Sequence, residues 1–169
     1  PFLYHGEIRP WEPQASGDFL GVSLSGRGPL EVAADIRSAL PFPDDSFLGA
    51  QSQDVLEHVP FERAIFAVKE LVRVVRSGAT IRISVPDYRA ELNRSSSVYD
   101  DAGNILCDLR MGGAVAYESG SLVVQFAQDG DAHLWFPTLE LMEQLLAPVR
   151  NSCDIQFLHY IDPKFGDVK

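Results

Sequence analysis

One stretch constrains this chain more than any other. Residues 47–85 pass from a short apolar run to a one-sided helical pattern and back to a β-branched run. Phe47 to Ala50 is too short for a helix and is entered from the turn-forming Pro43-Asp44-Asp45-Ser46, so it predicts a buried strand reaching about Ser52. Asp54 and Glu57 stand at capping-box spacing, with Asp in the place of Ser or Thr. From Phe61 to Arg76 the residues Ala64, Ile65, Val68, Leu71, Val72 and Val75 form a single apolar stripe. Gly78 is placed to end that helix, and Thr80 to Val85 follows as a strand stopped by Pro86. Strand, helix, strand is a βαβ unit, which implies two parallel strands joined by a right-handed crossover. In open parallel sheets ligands sit beyond the carboxyl ends of the strands. Gln51, Ser52, Gln53 and Asp54 after one strand, and Asp87 and Tyr88 after the next, therefore belong on one rim. Asp54 and Asp87 equally fit a plain capping role, the commonest one for Asp at such places.

The rest of the chain supplies neighbours for this unit. Phe2 to His5 reads as a first strand, Phe19 to Leu24 as a second and Leu30 to Ala34 as a third. After Tyr88 the pattern loosens, with breaks at Ser95-Ser96-Ser97, Asp101-Ala102-Gly103-Asn104, Gly112-Gly113 and Ser119-Gly120, and one strand at Leu122 to Ala127. Residues 95–131 are read as an inserted lid, because a long irregular segment in a small domain is more often functional than idle. Thr138 fits an N-cap for a short helix carrying Leu139, Met142, Leu145 and Leu146. Asp154 to Ile161 alternates like a last strand. The expected organisation is one domain over residues 1–169: an α/β, doubly wound, mostly parallel sheet with a reduced first helix and the lid.

Three motifs within this frame, Leu40-Pro-Phe-Pro-Asp-Asp-Ser-Phe47, Asp54-Val-Leu-Glu-His-Val59 and Ile83-Ser-Val-Pro-Asp87, resemble the middle motifs of class I S-adenosylmethionine-dependent methyltransferases of the small-molecule, type 11 kind. They cover about a third of the chain. The resemblance implies a Rossmann-like fold and S-adenosylmethionine as cofactor. It places adenine against an acidic residue and the apolar one after it, here Asp35 and Ile36, and the methyl-donor side against Gln51, Ser52 and Gln53.

The chain departs from that family at its start. A Gly-x-Gly-x-Gly turn and a helix are usual after the first strand; here Gly6 stands alone and two prolines, Pro10 and Pro13, forbid a regular helix. Tyr4-His5-Gly6-Glu7-Ile8-Arg9-Pro10-Trp11 is similar to the start of a compact methyltransferase-like subgroup, which implies natural abbreviation. The acid that grips the ribose hydroxyls is replaced by Ser23 and Ser25. A serine lacks the two-oxygen acceptor of a carboxylate, and each lost charge-assisted bond costs roughly 1.5–3 kcal/mol. Asp18 or Glu7 could substitute from elsewhere.

Composition narrows the partners. A net charge of −10 repels phosphate backbones and anionic membranes, so a small-molecule substrate is expected rather than nucleic acid or membrane. Cys107 and Cys153 are far apart and suggest free thiols in a reducing cytoplasm. Homodimerisation is left open. His5, His58, His133 and His159 share no ligand spacing, so no metal is expected. There is no Gly-x-Ser-x-Gly elbow to suggest a hydrolase. His133, just before the last helix beside Trp135 and Phe136, is the general-base candidate; the alternative is simple stacking and a carbonyl contact. His58 is read as packing at a helix start, with a reach to substrate left open. Tyr88, His133 and Trp135 are expected to face the acceptor. Two functions fit: methyl transfer to a small molecule, or a binding or scaffold domain that kept the fold and lost the activity.

Overall fold

The computed structural model describes residues 1–6, 18–127, 130–158, 161–162 and 166–167. Glu7, Ile8, Arg9, Pro10 and Trp11 of the expected N-terminal motif lie outside the described residues, as do His159 and Tyr160. The centre is a five-stranded sheet built from β1 (Phe2–His5), β2 (Phe19–Ser23), β3 (Glu31–Ala33), β4 (Phe47–Gln53) and β5 (Val75–Ser84). Every pair is parallel and the order is β3-β2-β1-β4-β5. The order reverses direction between β1 and β4, which makes that gap the topological switch point of the sheet. The Rossmann-like fold expected of the sequence is the fold observed.

Strand alternation decides which side chains reach the core. The register pairs Leu3 with Leu20 and with Ala50, and His5 with Val22 and with Ser52, so these residues share one face. That face packs on α1 (Phe61–Val74), whose Ala64, Ala67, Val68, Leu71 and Val74 are all buried in the same cluster as Leu3, Val22 and Ala50. A second helix, α3 (Leu139–Leu146), follows the short α2 (Glu91–Arg94) and leans on α1, contributing Leu145. Thr138 caps α3 as expected, accepting a 3.3 Å bond from the Leu141 amide.

Between β4 and α1 the chain differs from the expectation. Asp54 caps no helix. It adopts a positive φ of 49°, and its amide donates to Ser84 O at 3.0 Å. A 3-10 turn over Leu56–His58 comes next, and Pro60 stands at the N-cap of α1. Proline is tolerated there because the amide proton it lacks would have no partner within the helix in any case. At the other end α1 stops at Val75, which is already extended and begins β5. Gly78 therefore lies inside β5, at φ 79°, and is not a helix C-cap.

The Leu40–Asp44 segment is fixed to α1 by Arg73. Its guanidinium donates to Phe42 O at 2.8 Å, Leu40 O at 3.2 Å, Asp44 Oδ1 at 2.8 Å and Glu70 Oε2 at 2.7 Å. Glu70 in turn accepts from the Leu40 amide at 2.8 Å. Arg73→Ala is expected to cost about 1–3 kcal/mol, because two loop carbonyls and the Glu70 carboxylate lose their charged donor while part of the group remains solvated. Urea unfolding checks this.

The described residues between 95 and 131 hold two antiparallel hairpins, β6 (Ser97–Tyr99) with β7 (Ile105–Asp108) and β8 (Gly113–Glu118) with β9 (Ser121–Phe126). Both lie outside the main sheet. The expected last strand is absent as drawn: residues 154–158 are not in a strand. The only described pairing nearby is the two-residue β10 (Ile161–Asp162) with β11 (Gly166–Asp167). Alternation alone could not place that segment, since it gives no indication of a sheet edge to join.

Candidate functional site

Parallel pairing brings the ends of β1 to β5 to one edge, and most of the expected cofactor residues lie there. Gly6 follows β1 at φ 126°, a backbone conformation that favours glycine, and its amide bonds Val22 O at 2.9 Å. His5 and Ser52 face each other across β1 and β4, both buried. Among the described residues neither His5 ring nitrogen nor Ser52 Oγ has a hydrogen-bond partner. Buried polar atoms without partners are uncommon, and each invites an explanation. Burial lowers the His5 imidazole to about 4, so it is neutral at physiological pH.

The other expected residues divide. Gln51 and Gln53 lie on the sheet face opposite α1, and Gln51 Nε2 donates to Gln53 Oε1 at 3.0 Å. Ser52 points the other way, because successive strand residues alternate. The three residues therefore do not line one wall. Ile36 is 8% exposed and packs in the main core, which removes its side chain from a surface crevice. Asp35 is held by Arg37, whose Nε lies 2.9 Å and 2.8 Å from its two oxygens and whose amide also bonds Oδ1. That guanidinium keeps the Asp35 carboxyl below the usual carboxylate range.

Ser23 ends β2, buried, accepting from the Gly26 amide at 3.0 Å and donating to Glu31 Oε2 at 2.9 Å. A carboxylate, that of Glu31 in β3, therefore stands beside the end of β2. Sequence reasoning missed Glu31 because it opens its strand rather than closing one; the β2–β3 register, with Gly21 opposite Glu31, brings it there.

A second cluster forms where the 3-10 turn Leu56–His58 meets residues 132–137. Leu134 N donates to Glu57 O at 2.8 Å and Trp135 Nε1 to Leu56 O at 2.9 Å, which joins the two segments. Trp135 is thus a core residue, 7% exposed and edge-on to Phe61. Tyr88 and His133 do come together. Tyr88 Oη donates to Asp108 Oδ2 at 2.8 Å and lies 2.6 Å from His133 Nδ1. A phenol has one proton, so Nδ1–H of His133 donates to Tyr88 and His133 Nε2 keeps its lone pair. That Nε2 is 3.9 Å from Glu57 Oε1. His58 Nδ1 is 3.2 Å from the carbonyl of Ala132, an acceptor, so it too carries a proton. The His58 and His133 rings meet edge-on at 4.6 Å.

Burial governs the charges. Glu57 is fully buried and raised to about 8, by burial first and then by Asp54. His133 is lowered to about 4, by burial first and then by His58. Tyr88 is raised by burial, then by Asp108. The result is a buried chain, Asp108–Tyr88–His133, ending at a neutral imidazole beside an unpartnered carboxyl group. Asp108 was not singled out from the sequence, and Glu57 only as a capping partner of Asp54, because nothing local marks a residue whose partner comes from a distant segment.

Among the described residues no helix is long and apolar enough to cross a membrane. No curated protein gives a significant match to the chain. The family model described as "Methyltransferase domain" matches residues 21–83, which run from within β2 to within β5 and hold Asp35, Gln51 to Gln53 and the 3-10 turn. Through that stretch the chain is similar to a class I S-adenosylmethionine-dependent methyltransferase family, and the mostly parallel sheet that contains it is consistent with the Rossmann-like fold of such domains.

Proposed function

We propose that this chain binds S-adenosylmethionine at the edge beyond β1 and β4 and transfers its methyl group to a small-molecule acceptor. The observation that carries the reading is the switch point itself: at the ends of β1 and β4, His5 and Ser52 present three buried polar atoms that lack partners among the described residues. A polar ligand at that gap would satisfy them. When bound, the cofactor supplies a methyl group on a cationic sulfur.

The residues of this chain position and enclose. Gly6 lets bare backbone approach the ligand. The Ser23–Glu31 pair supplies the carboxylate that suits two vicinal hydroxyls. Asp35 receives the adenine amino group by sharing an oxygen with Arg37. Gln51 and Gln53 flank the methionine portion. The acceptor lies on the Tyr88–His133 side. There His133 Nε2, neutral and fixed in orientation by Tyr88, accepts a hydrogen bond from an acceptor hydroxyl and aligns it. A net charge of −10 is consistent with a small acceptor rather than nucleic acid.

The second reading, a scaffold that kept the fold without the activity, is favoured by one observation. Both Asp35 oxygens are already engaged by Arg37, and Ile36 is withdrawn into the core. Calorimetry with S-adenosylmethionine and S-adenosylhomocysteine separates the two. Micromolar binding is expected, weakened about tenfold or more in Asp35→Ala by loss of a charge-assisted bond. No heat at millimolar ligand would support the scaffold; unchanged affinity in Asp35→Ala would mean adenine lies elsewhere.

A further inference from the structure

We infer that Glu57, His58 and His133 form a binding site for one divalent first-row transition-metal ion, zinc being the best match. One ligand-type atom from each of the three lies within 4.8 Å of the others. Three ligands around one zinc sit about 3.4 Å apart in tetrahedral geometry. The 3.9 Å between His133 Nε2 and Glu57 Oε1 is thus within about 1 Å of closed.

Three independent features point the same way. Glu57 is fully buried, and among the described residues neither of its oxygens has a hydrogen-bond partner. A carboxylate placed there without a cation is costly. Both histidines also have the kind of outer hydrogen-bond partner that ligands usually have. Each gives its Nδ1 proton to an oxygen, His58 to the Ala132 carbonyl and His133 to Tyr88, which is itself held by Asp108. Such outer partners fix the tautomer and leave Nε2 for a metal. Finally, the site is tied at both ends. The Leu134 amide to Glu57 carbonyl bond and the Trp135 indole to Leu56 carbonyl bond hold the two contributing segments together before any ion arrives.

The donor set selects the class of ion. Two imidazoles and one carboxylate suit zinc, cobalt, iron or manganese, whereas magnesium and calcium prefer all-oxygen shells. Three protein ligands leave coordination positions open, and the half-buried His58 gives an approach from solvent. An acceptor carrying a hydroxyl or carboxylate oxygen would occupy an open position; this last step rests on the methyl-transfer reading above, whereas the metal site does not.

The experiment titrates chelator-treated protein with Zn²⁺ by calorimetry, and with Co²⁺ by visible absorption, in the absence of S-adenosylmethionine. One equivalent is expected to bind with micromolar or tighter affinity, with the absorption of a low-coordinate Co²⁺ site. Glu57→Gln and His58→Ala each lower the affinity at least a hundredfold. Tyr88→Phe, which removes only the support of the His133 ring, lowers it about 10–100-fold. Three results would overturn the inference: no binding of either ion, affinity unchanged in both Glu57→Gln and His58→Ala, or loss of binding in Cys153→Ser, which would assign the ion to a thiol. Should Glu57→Gln fail to fold, His58→Ala at its half-buried position carries the same test. Because no cofactor is present, metal binding without cofactor binding would leave this site standing while the proposed activity fell.

Discussion

Replacing Trp135 with alanine is expected to remove about 4 kcal/mol of stability, within the roughly 3–5 kcal/mol typical of emptying a buried tryptophan site. The indole is 7% exposed, stands edge-on to Phe61 at 5.0 Å and donates to the Leu56 carbonyl at 2.9 Å. The substitution therefore loses apolar contact and an aromatic pair, and leaves a buried carbonyl without its donor. Trp135→Phe keeps most of the apolar body and loses the bond, so about 1–2 kcal/mol is expected. Urea unfolding followed by circular dichroism measures both. A loss below about 1 kcal/mol for the alanine variant would show that the 132–137 segment does not rest on the 3-10 turn as described.

The second large effect is a stability maximum near neutrality in metal-free protein. His5 and His133 ionise at about 4 in the folded chain against 6.5 ordinarily. Glu57 ionises at about 8 against 4.5. Between about pH 4.5 and 6.5 the unfolded chain holds up to two more protons on the histidines and one fewer on Glu57. The net is one more, and stability rises with pH by about 1.4 kcal/mol per unit. Above about pH 6.5 the histidines are neutral in both states. The folded chain alone keeps the Glu57 proton, and stability falls with a similar slope toward about pH 8. The maximum is expected near pH 6.5, with about 2–3 kcal/mol lost on either side. Urea titrations at constant ionic strength with a chelator present would show it. Glu57→Gln should remove the alkaline decline and steepen the acid one. A profile flat from pH 5 to 8 would mean that these groups are hydrated rather than dry.

Much of the fold was legible because it rests on periodicity. Phe47–Gln53, Phe61–Val74 and the β-branched part of β5 were visible from apolar spacing alone, and spacing reports burial directly. The errors came where one pattern admits two geometries. Asp54 and Glu57 satisfy capping-box spacing, yet the chain turns through a 3-10 segment first and Pro60 begins the helix. Gln51, Ser52 and Gln53 read as one polar patch, but strand alternation sends Ser52 to the helix side. Ile36 looked like a ligand contact and is core. The candidate site was less legible than the fold. The pairing of Tyr88 with His133 was within reach, because both were singled out separately. The approach of Glu57 and His58 to His133 was not, since it depends on how residues 132–137 fold back onto the turn. No local spacing records that contact.

The strand order carries a consequence for assembly. β1 is the middle strand, bonded on one side to β2 and on the other to β4, so the first few residues act as the keystone of the whole sheet. Without Phe2 to His5, β2–β3 and β4–β5 are two narrow ribbons with no seam between them. On a growing chain β1 emerges before both of its neighbours and gains the second only when the segment around Ala50 has been made. Such distant pairings are slow to form. Until then its Leu3 and Tyr4 side chains await cover, which makes this interval the one most exposed to wrong partners during synthesis.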